Sequence, residues 1–252
     1  MFSANPRGWR AAELTAEACE AFREARAGFA LAPVAIHANY LINLASAEPV
    51  IRALSVAALR SEFARAAALG ADYVVLHPGC ATNGQRVKAC RTVVDSFERA
   101  VRGLKMNGIR LLLENTAGQG TSLGADLDEL AEILAGAARV MPAGVCLDTA
   151  HLVAAGYPVH TTRGLGETVR KIEASVGLAN VRLIHANDSK TPLGSHVDRH
   201  EHIGRGAIGR EGFRRIVRHL ELREIPFICE TPIDKPGDDG RNLRMMRSLA
   251  VV

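Results

Sequence analysis

The sequence predicts an α/β protein of the TIM-type (β/α)₈ barrel class, built as one domain over residues 1–252, and three observations predict it. A short apolar run followed by an amphipathic helix recurs seven times. Six of the runs in succession are followed directly by His, Asp or Glu. No linker or shift in composition divides the chain, whose 252 residues are what one barrel of about 250 would use.

Taken in order, a brief run near 2–4 and a helix over 12–28 open the series. Apolar runs follow at 34–36, 73–76, 109–113, 145–147, 181–184 and 226–229. Helical periodicity fills the gaps at 49–69, 86–106, 126–137, 164–176, 210–221 and 240–249. Strands alternating with helices argue for a parallel sheet, because each crossover must bring the chain back to run in the same direction. Aromatic residues make up only 4% and Trp9 is the single tryptophan, so the core must be Leu, Val, Ile and Ala, as in strands buried on both faces. A doubly wound sheet would satisfy the alternation equally well. The barrel is preferred because its C-terminal strand ends converge on one mouth, whereas an open sheet spreads them along an edge.

Composition excludes some classes. No apolar run approaches the roughly 18 residues of a membrane span, and MFSANPRGWR lacks the features of a signal peptide. A cytoplasmic protein is expected. Cys19, Cys80, Cys90, Cys146 and Cys229 form no CxxC pair and read as reduced core fillers. A net charge of +4 agrees with a polyanionic partner without requiring one. Arg214, Arg215 and Arg218 stand at helical spacing and read as an ordinary solvated helix face.

The chemistry sits at the strand ends. His37, His77, Glu114, Asp148, His185 and Glu230 each follow an apolar run directly. Any one of them alone is weak evidence, and Asp148 before Thr149 reads equally as a helix N-cap. Six in succession is another matter in a chain with nine His and 27 acidic residues among 252. His151, three residues after Asp148, would point back over the mouth from the first helical turn. Asp198 and His200 are two apart, so in extended chain they face one side. Imidazole and carboxylate without thiolate suit catalytic zinc, manganese or iron rather than a structural site. Nine such residues exceed the three or four protein ligands of one zinc and suit about three ions. Clustered metals serve phosphodiester hydrolysis, and a basic chain makes nucleic acid the natural substrate.

The segments HANYLINLA (37–45), LHPG (76–79), LLENTAGQG (112–120), VCLDTAHLVAAGY (145–157), HANDSKTPLGSHVDRHEHIGRGAIG (185–209) and CETP (229–232) closely resemble the endonuclease IV family of apurinic/apyrimidinic endonucleases, along essentially the whole chain. The resemblance implies a (β/α)₈ barrel with three Zn²⁺ ions that incises DNA 5′ to an abasic site and leaves a 3′-hydroxyl. It implies that His37 and His77 bind the first zinc, with Glu114 bridging it to the second. Asp148, His185 and Glu230 would complete the second, and His151, Asp198 and His200 the third. Glu114 would orient the attacking hydroxide or accept its proton. Double-stranded DNA carrying abasic or 3′-blocked damage is the implied partner, with no membrane and a monomeric protein. Tyr40 and Leu41 match a loop that enters the minor groove, against the alternative of core packing beneath the next helix. Arg7 matches an arginine that wedges into the base stack, a step costing least where a base is already missing. Arg199 and Lys190 are candidates for phosphate contact, Lys190 alternatively for orienting Asp188. Gly204, Gly206 and Gly209 are expected to serve the backbone.

Family members begin with a further strand and glycine-containing loop ahead of the segment matching residues 2–9, so the first βα unit is not seen here. Lower stability or activity than in a member with that unit is expected. Two other readings stay open: a xylose-isomerase-like sugar isomerase or epimerase, which needs no third site, and a protein that binds abasic DNA without cutting it.

Overall fold

The computed structural model describes residues 1–82 and 84–251. The chain forms two compact units, the first comprising Met1–Leu113 with Glu132–Gly144, the second Glu114–Ala131 with Val145–Val252.

In the first unit α1 (Ala16–Gly28) precedes β1 (Ala35–His37), α2 (Pro49–Leu69), β2 (Tyr73–Leu76), α3 (Arg86–Val101) and β3 (Arg110–Glu114), whose last residue passes to the second unit. β1 pairs with β2 and β2 with β3, both parallel, in the registers Ile36↔Val74 and Val75↔Leu112. Leu111, Leu112 and Leu113 are all fully buried, as expected of a parallel strand covered on both faces. Sequence sets the helix limits. α2 begins with Pro49, whose missing N–H costs nothing at a helix start, and stops at Gly70 in the left-handed region with φ +68°. The Thr15 hydroxyl caps α1 by accepting from the Ala18 amide.

Two expectations are corrected here. Residues 2–4 form no strand. Instead the Met1 amino group donates to Ala35 O and Met1 O accepts from the His37 amide. Buried Arg65 on α2 grips this segment through Ser3 Oγ (2.9 Å), Ser3 O and Ala12 O. Ser3 Oγ in turn donates to Glu62 (2.8 Å), whose carboxyl is pushed up by burial. α3 ends at Val101 rather than at 106, because Gly103 adopts positive φ (74°) and breaks the periodic pattern.

The second unit takes Glu114–Ala131, with the start of α4 (Leu127–Ala138), whose later residues belong to the first unit; it resumes at Val145 within β4 (Ala143–Asp148) and continues through α5 (Thr149–Ala155), α6 (Thr162–Ser175), β5 (Val181–His185), β6 (Asp188–Ser189), β7 (His200–Glu201), α7 (Gly209–Arg218), β8 (Phe227–Ile228) and α8 (Asp238–Ala250). β5 pairs in parallel with β4 on one side and with β8 on the other, placing Asp148 opposite His185. β6 and β7 form a small antiparallel hairpin. α5 and this hairpin are elements that apolar periodicity does not reveal, since each is too short to carry a period. No described helix is long and apolar enough to cross a membrane.

Arg65→Ala is expected to destabilise the fold by about 2–3 kcal/mol, since it strands several carbonyl and hydroxyl groups. Urea unfolding measures the loss, and limited proteolysis should show residues 1–12 becoming cleavable first.

Candidate metal centre

The strand-end residues supply the candidate ligands, and the local chain explains how each is aimed. In the first unit, His37 ends β1 and His77 follows β2; their rings meet edge to face, 5.2 Å between centroids. His37 is buried, with Nδ1 2.8 Å from its neighbour's carbonyl, Ala38 O.

The remaining candidates lie in the second unit. Glu114 at the end of β3 has no exposure to water, and its Oε1 stands 2.9 Å from His185 Nδ1. Glu230 approaches the same nitrogen at 3.1 Å. Asp148 is likewise fully buried, and the helix N-cap reading holds for it. Its Oδ1 caps α5 by accepting from the His151 amide (2.8 Å), while Oδ2 accepts from Asn187 Nδ2 (2.6 Å) and stands 3.7 Å from His200 Nε2. Glu114, Asp148, His185 and Glu230 offer ligand atoms within 4.8 Å of one another.

A second grouping forms around Asp198. His151 donates from Nδ1 to Asn115 O at 2.9 Å, and His200 Nδ1 lies 3.2 Å from Glu230 O. With Nδ1 occupied on each ring, both Nε2 atoms turn inward to within 3.4 Å of each other. Asp198 completes the set, with Oδ2 3.2 Å from His151 Nε2 and Oδ1 3.3 Å from His200 Nε2. Two imidazoles on one tetrahedral zinc, each at about 2.0–2.1 Å, would stand roughly 3.4 Å apart, so the spacing fits. Anchoring the distal nitrogen on a carbonyl is also how metal-ligating histidines are held.

Strand-end reasoning passes over the frame around these donors. Asn115 accepts from the Asp148 amide through Oδ1 (2.7 Å), and Asn187 holds Asp148 through Nδ2 and the Glu230 amide through Oδ1 (2.9 Å). Both are buried. The available signal is position: Asn115 follows Glu114 directly and Asn187 stands two beyond His185. Cys146 is fully buried, as expected of a core filler. Its sulfur nevertheless shares a group with Glu114 and His185, and burial pushes the thiol up to about 12.

The loop bearing Asp198 is held at both ends. The amides of Gly194 and His196 donate to Val153 O and Ala154 O at the C-terminal end of α5, both at 2.9 Å, and the Asp198 amide donates to Gln119 Oε1 at 3.0 Å. Downstream, the buried Asp188 carboxylate accepts from the amides of Ser189, Gly204, Gly206, Ile208 and Gly209 at 2.8–3.2 Å. Backbone amides, not Lys190, orient it. Gly206 has no room for a side chain, since a Cβ there would lie 2.2 Å from Ser189 O and 2.6 Å from Asp188 Oδ1.

Of the candidate DNA contacts, Tyr40 is 54% and Leu41 36% exposed, which removes core packing as the reading of this pair. Their loop is tied to the segment before Trp9 by Tyr40 N to Pro6 O (3.0 Å) and Asn39 Nδ2 to Gly8 O. Arg7 is exposed beside them. Arg199 is exposed and donates to Asp198 O. The Arg214, Arg215 and Arg218 trio is structural: Arg214 pairs with Glu211, Arg215 donates to His160 O and Arg218 to Leu249 O and Val251 O.

Electrostatics follow from this crowding. Burial opposes charge on His151, yet the Asp148 carboxylate, the Asp198 hydrogen bond and Glu114 lift its pKa to about 10. Against the same burial, Asp148 and Asp198 lift His200 to about 9. Burial would raise Asp198, but hydrogen bonds from His151 and His200 hold it well below the usual carboxylate range. A metal binding here must displace those imidazole protons.

Because both folded values lie above the ordinary 6.5, the protonated imidazoles stabilise the metal-free fold fully below that pH and cease to as the pH climbs through 9 and 10. The Tm of chelated protein is therefore expected to fall across this window, and His151→Asn should flatten the decline. Asp188→Ala is expected to cost about 3–5 kcal/mol, since it abandons a set of buried amides, with urea unfolding as the measurement.

A family model described as xylose isomerase-like TIM barrel matches residues 1–249. The "Probable endonuclease 4" of Solibacter usitatus is 49% identical over 252 residues, covering 99% of this chain and 87% of that one. Its counterpart in Methanoculleus marisnigri is 41% identical, covering 99% and 89%. Among solved structures, endonuclease IV from Thermus thermophilus matches with a TM-score of 0.85 at 40% identity, covering 98% of this chain and 87% of that one. A D-tagatose 3-epimerase-like protein matches at 0.70 and 21% identity, covering 93% and 83%, a likeness of fold alone. On these grounds the chain belongs to the endonuclease IV family, on a xylose isomerase-like TIM barrel.

Proposed function

We propose that this protein is a zinc-dependent DNA-repair endonuclease that hydrolyses the phosphodiester 5′ to abasic sites in double-stranded DNA, leaving a 3′-hydroxyl, with a complement of three ions. The observation that carries the proposal is the grouping of His151, Asp198 and His200 beside a second set of Glu114, Asp148, His185 and Glu230, in a chain 49% identical to an endonuclease 4. Sugar isomerases and epimerases on this fold have no use for the Asp198 group. His37 and His77 supply the imidazoles for the remaining ion by family correspondence.

Bound to these donors, the ions would lower the pKa of water and neutralise phosphate oxygens, as in other multi-metal phosphodiesterases. The protein's own residues do the rest. Glu114, fully buried and held by His185, orients the nucleophile and takes its proton. Asn115 fixes the main chain of Asp148 and Asn187 its carboxylate, so that no reorganisation of this group is required as charge develops. Arg7, Tyr40 and Leu41 engage the duplex at the lesion, their exposure supporting the assignment, and Arg199 reaches a phosphate.

Incubation of zinc-loaded protein with a duplex containing one abasic site should give nicking, with about three zinc ions per chain on the same sample. Glu114→Gln should remove most incision while leaving the unfolding transition in place. Nicking by that variant at the wild-type rate would overturn the role of Glu114. Tight binding without nicking would favour a non-cutting lesion binder, and one or two metals with no DNA affinity a sugar isomerase.

A further inference from the structure

A cationic pocket in the second unit lies outside the residues assigned so far. α8 turns Arg241, Arg244 and Ser248 to one side at spacings of three and four residues, and the turn after β7 adds His202, Ile203 and Arg205. Together they line a cavity of about 310 Å³, at the small end of ligand sites. Arg241 is neutralised by buried Asp238. Arg205 and Arg244 have no acidic partner among the described residues.

The walls are fixed to each other. Buried Asn242 accepts from the Ile203 amide at 3.0 Å, and its Nδ2 lies 3.1 Å from His202 Nδ1 and 2.7 Å from Thr231 Oγ1. Two uncompensated guanidinium groups around one cavity favour a tetrahedral oxyanion, which accepts their paired N–H groups and relieves their mutual repulsion. The Ser248 hydroxyl adds a neutral donor. The pocket also lies within reach of the metal centre, because His202 stands two residues after His200 and their Cα atoms can be at most about 7 Å apart. A DNA strand advances about 3.4 Å per nucleotide along its helix axis.

We propose that this pocket is a phosphate subsite for the DNA strand held at the metal centre, gripping a backbone phosphate one to a few nucleotides from the cut. The inference rests on the nuclease reading above. A phosphate grip sets register along the strand and reads no sequence.

The test is steady-state incision of an abasic duplex by the zinc-loaded protein over a series of salt concentrations. It compares wild type with an Arg205→Gln/Arg244→Gln double variant, and with Arg247→Gln, which removes a charge from the same helix outside the pocket. The double variant is expected to raise KM about tenfold with kcat nearly unchanged. Its plot of log KM against log salt should be shallower by about one to two. Arg205→Lys/Arg244→Lys should restore the salt slope and part of the KM. A double variant that matches wild type or Arg247→Gln, while wild type cuts, overturns the subsite alone. Absence of any incision or DNA affinity in wild type overturns the nuclease reading and the subsite with it.

Discussion

Burying carboxylates is the constraint that organises the second unit. Glu114, Asp148 and Asp188 all have no exposure to water, and an uncompensated charge in that position would cost several kcal/mol. Each is compensated differently. Asp188 takes only backbone amides, and satisfying them fixes the course of the chain from Gly204 to Gly209. Asp148 takes an amide and a side-chain amide and leaves an edge facing His200. Glu114 faces imidazole. The first arrangement makes a scaffold, and the other two leave lone pairs for chemistry.

The histidines obey the complementary rule. A ring with two nitrogens can be aimed only if one is committed, and backbone carbonyls take that part for His151 and His200. Those carbonyls belong to Asn115 and Glu230, each at or beside a proposed ligand on another strand. Carbonyls just past β3 and β8 therefore aim these two imidazoles, which are positioned by main chain rather than by long flexible side chains.

Most of the repeating framework was legible in the sequence. The span 49–69 and the run 73–76 coincide with α2 and β2, because Pro49 and Gly70 punctuate the first and four consecutive apolar residues define the second. The strand-end donors were legible for the same reason, since a polar residue closing a buried strand stands out. Less visible were elements whose stability comes from elsewhere. α5 is seven residues long, and β6 and β7 two each, so capping and loop anchoring hold them rather than periodicity. Residues 2–4 have the pattern of a strand yet are pinned by Arg65, a side chain more than 60 positions away that no local pattern shows. Arg205 and Arg244 escape notice on the same ground, whereas the more conspicuous Arg214, Arg215 and Arg218 are occupied with the backbone and Glu211.

The shortness of α5 has a consequence for how the molecule comes together. An isolated helix of about two turns has no independent stability, so it can persist only with both ends occupied. Its leading end is closed by the carboxylate of Asp148, and its trailing carbonyls are taken up by the segment that carries Asp198. The capping carboxylate and the segment that carries Asp198 are therefore linked in stability through one small rod of backbone, so loosening either end weakens the hold on the other.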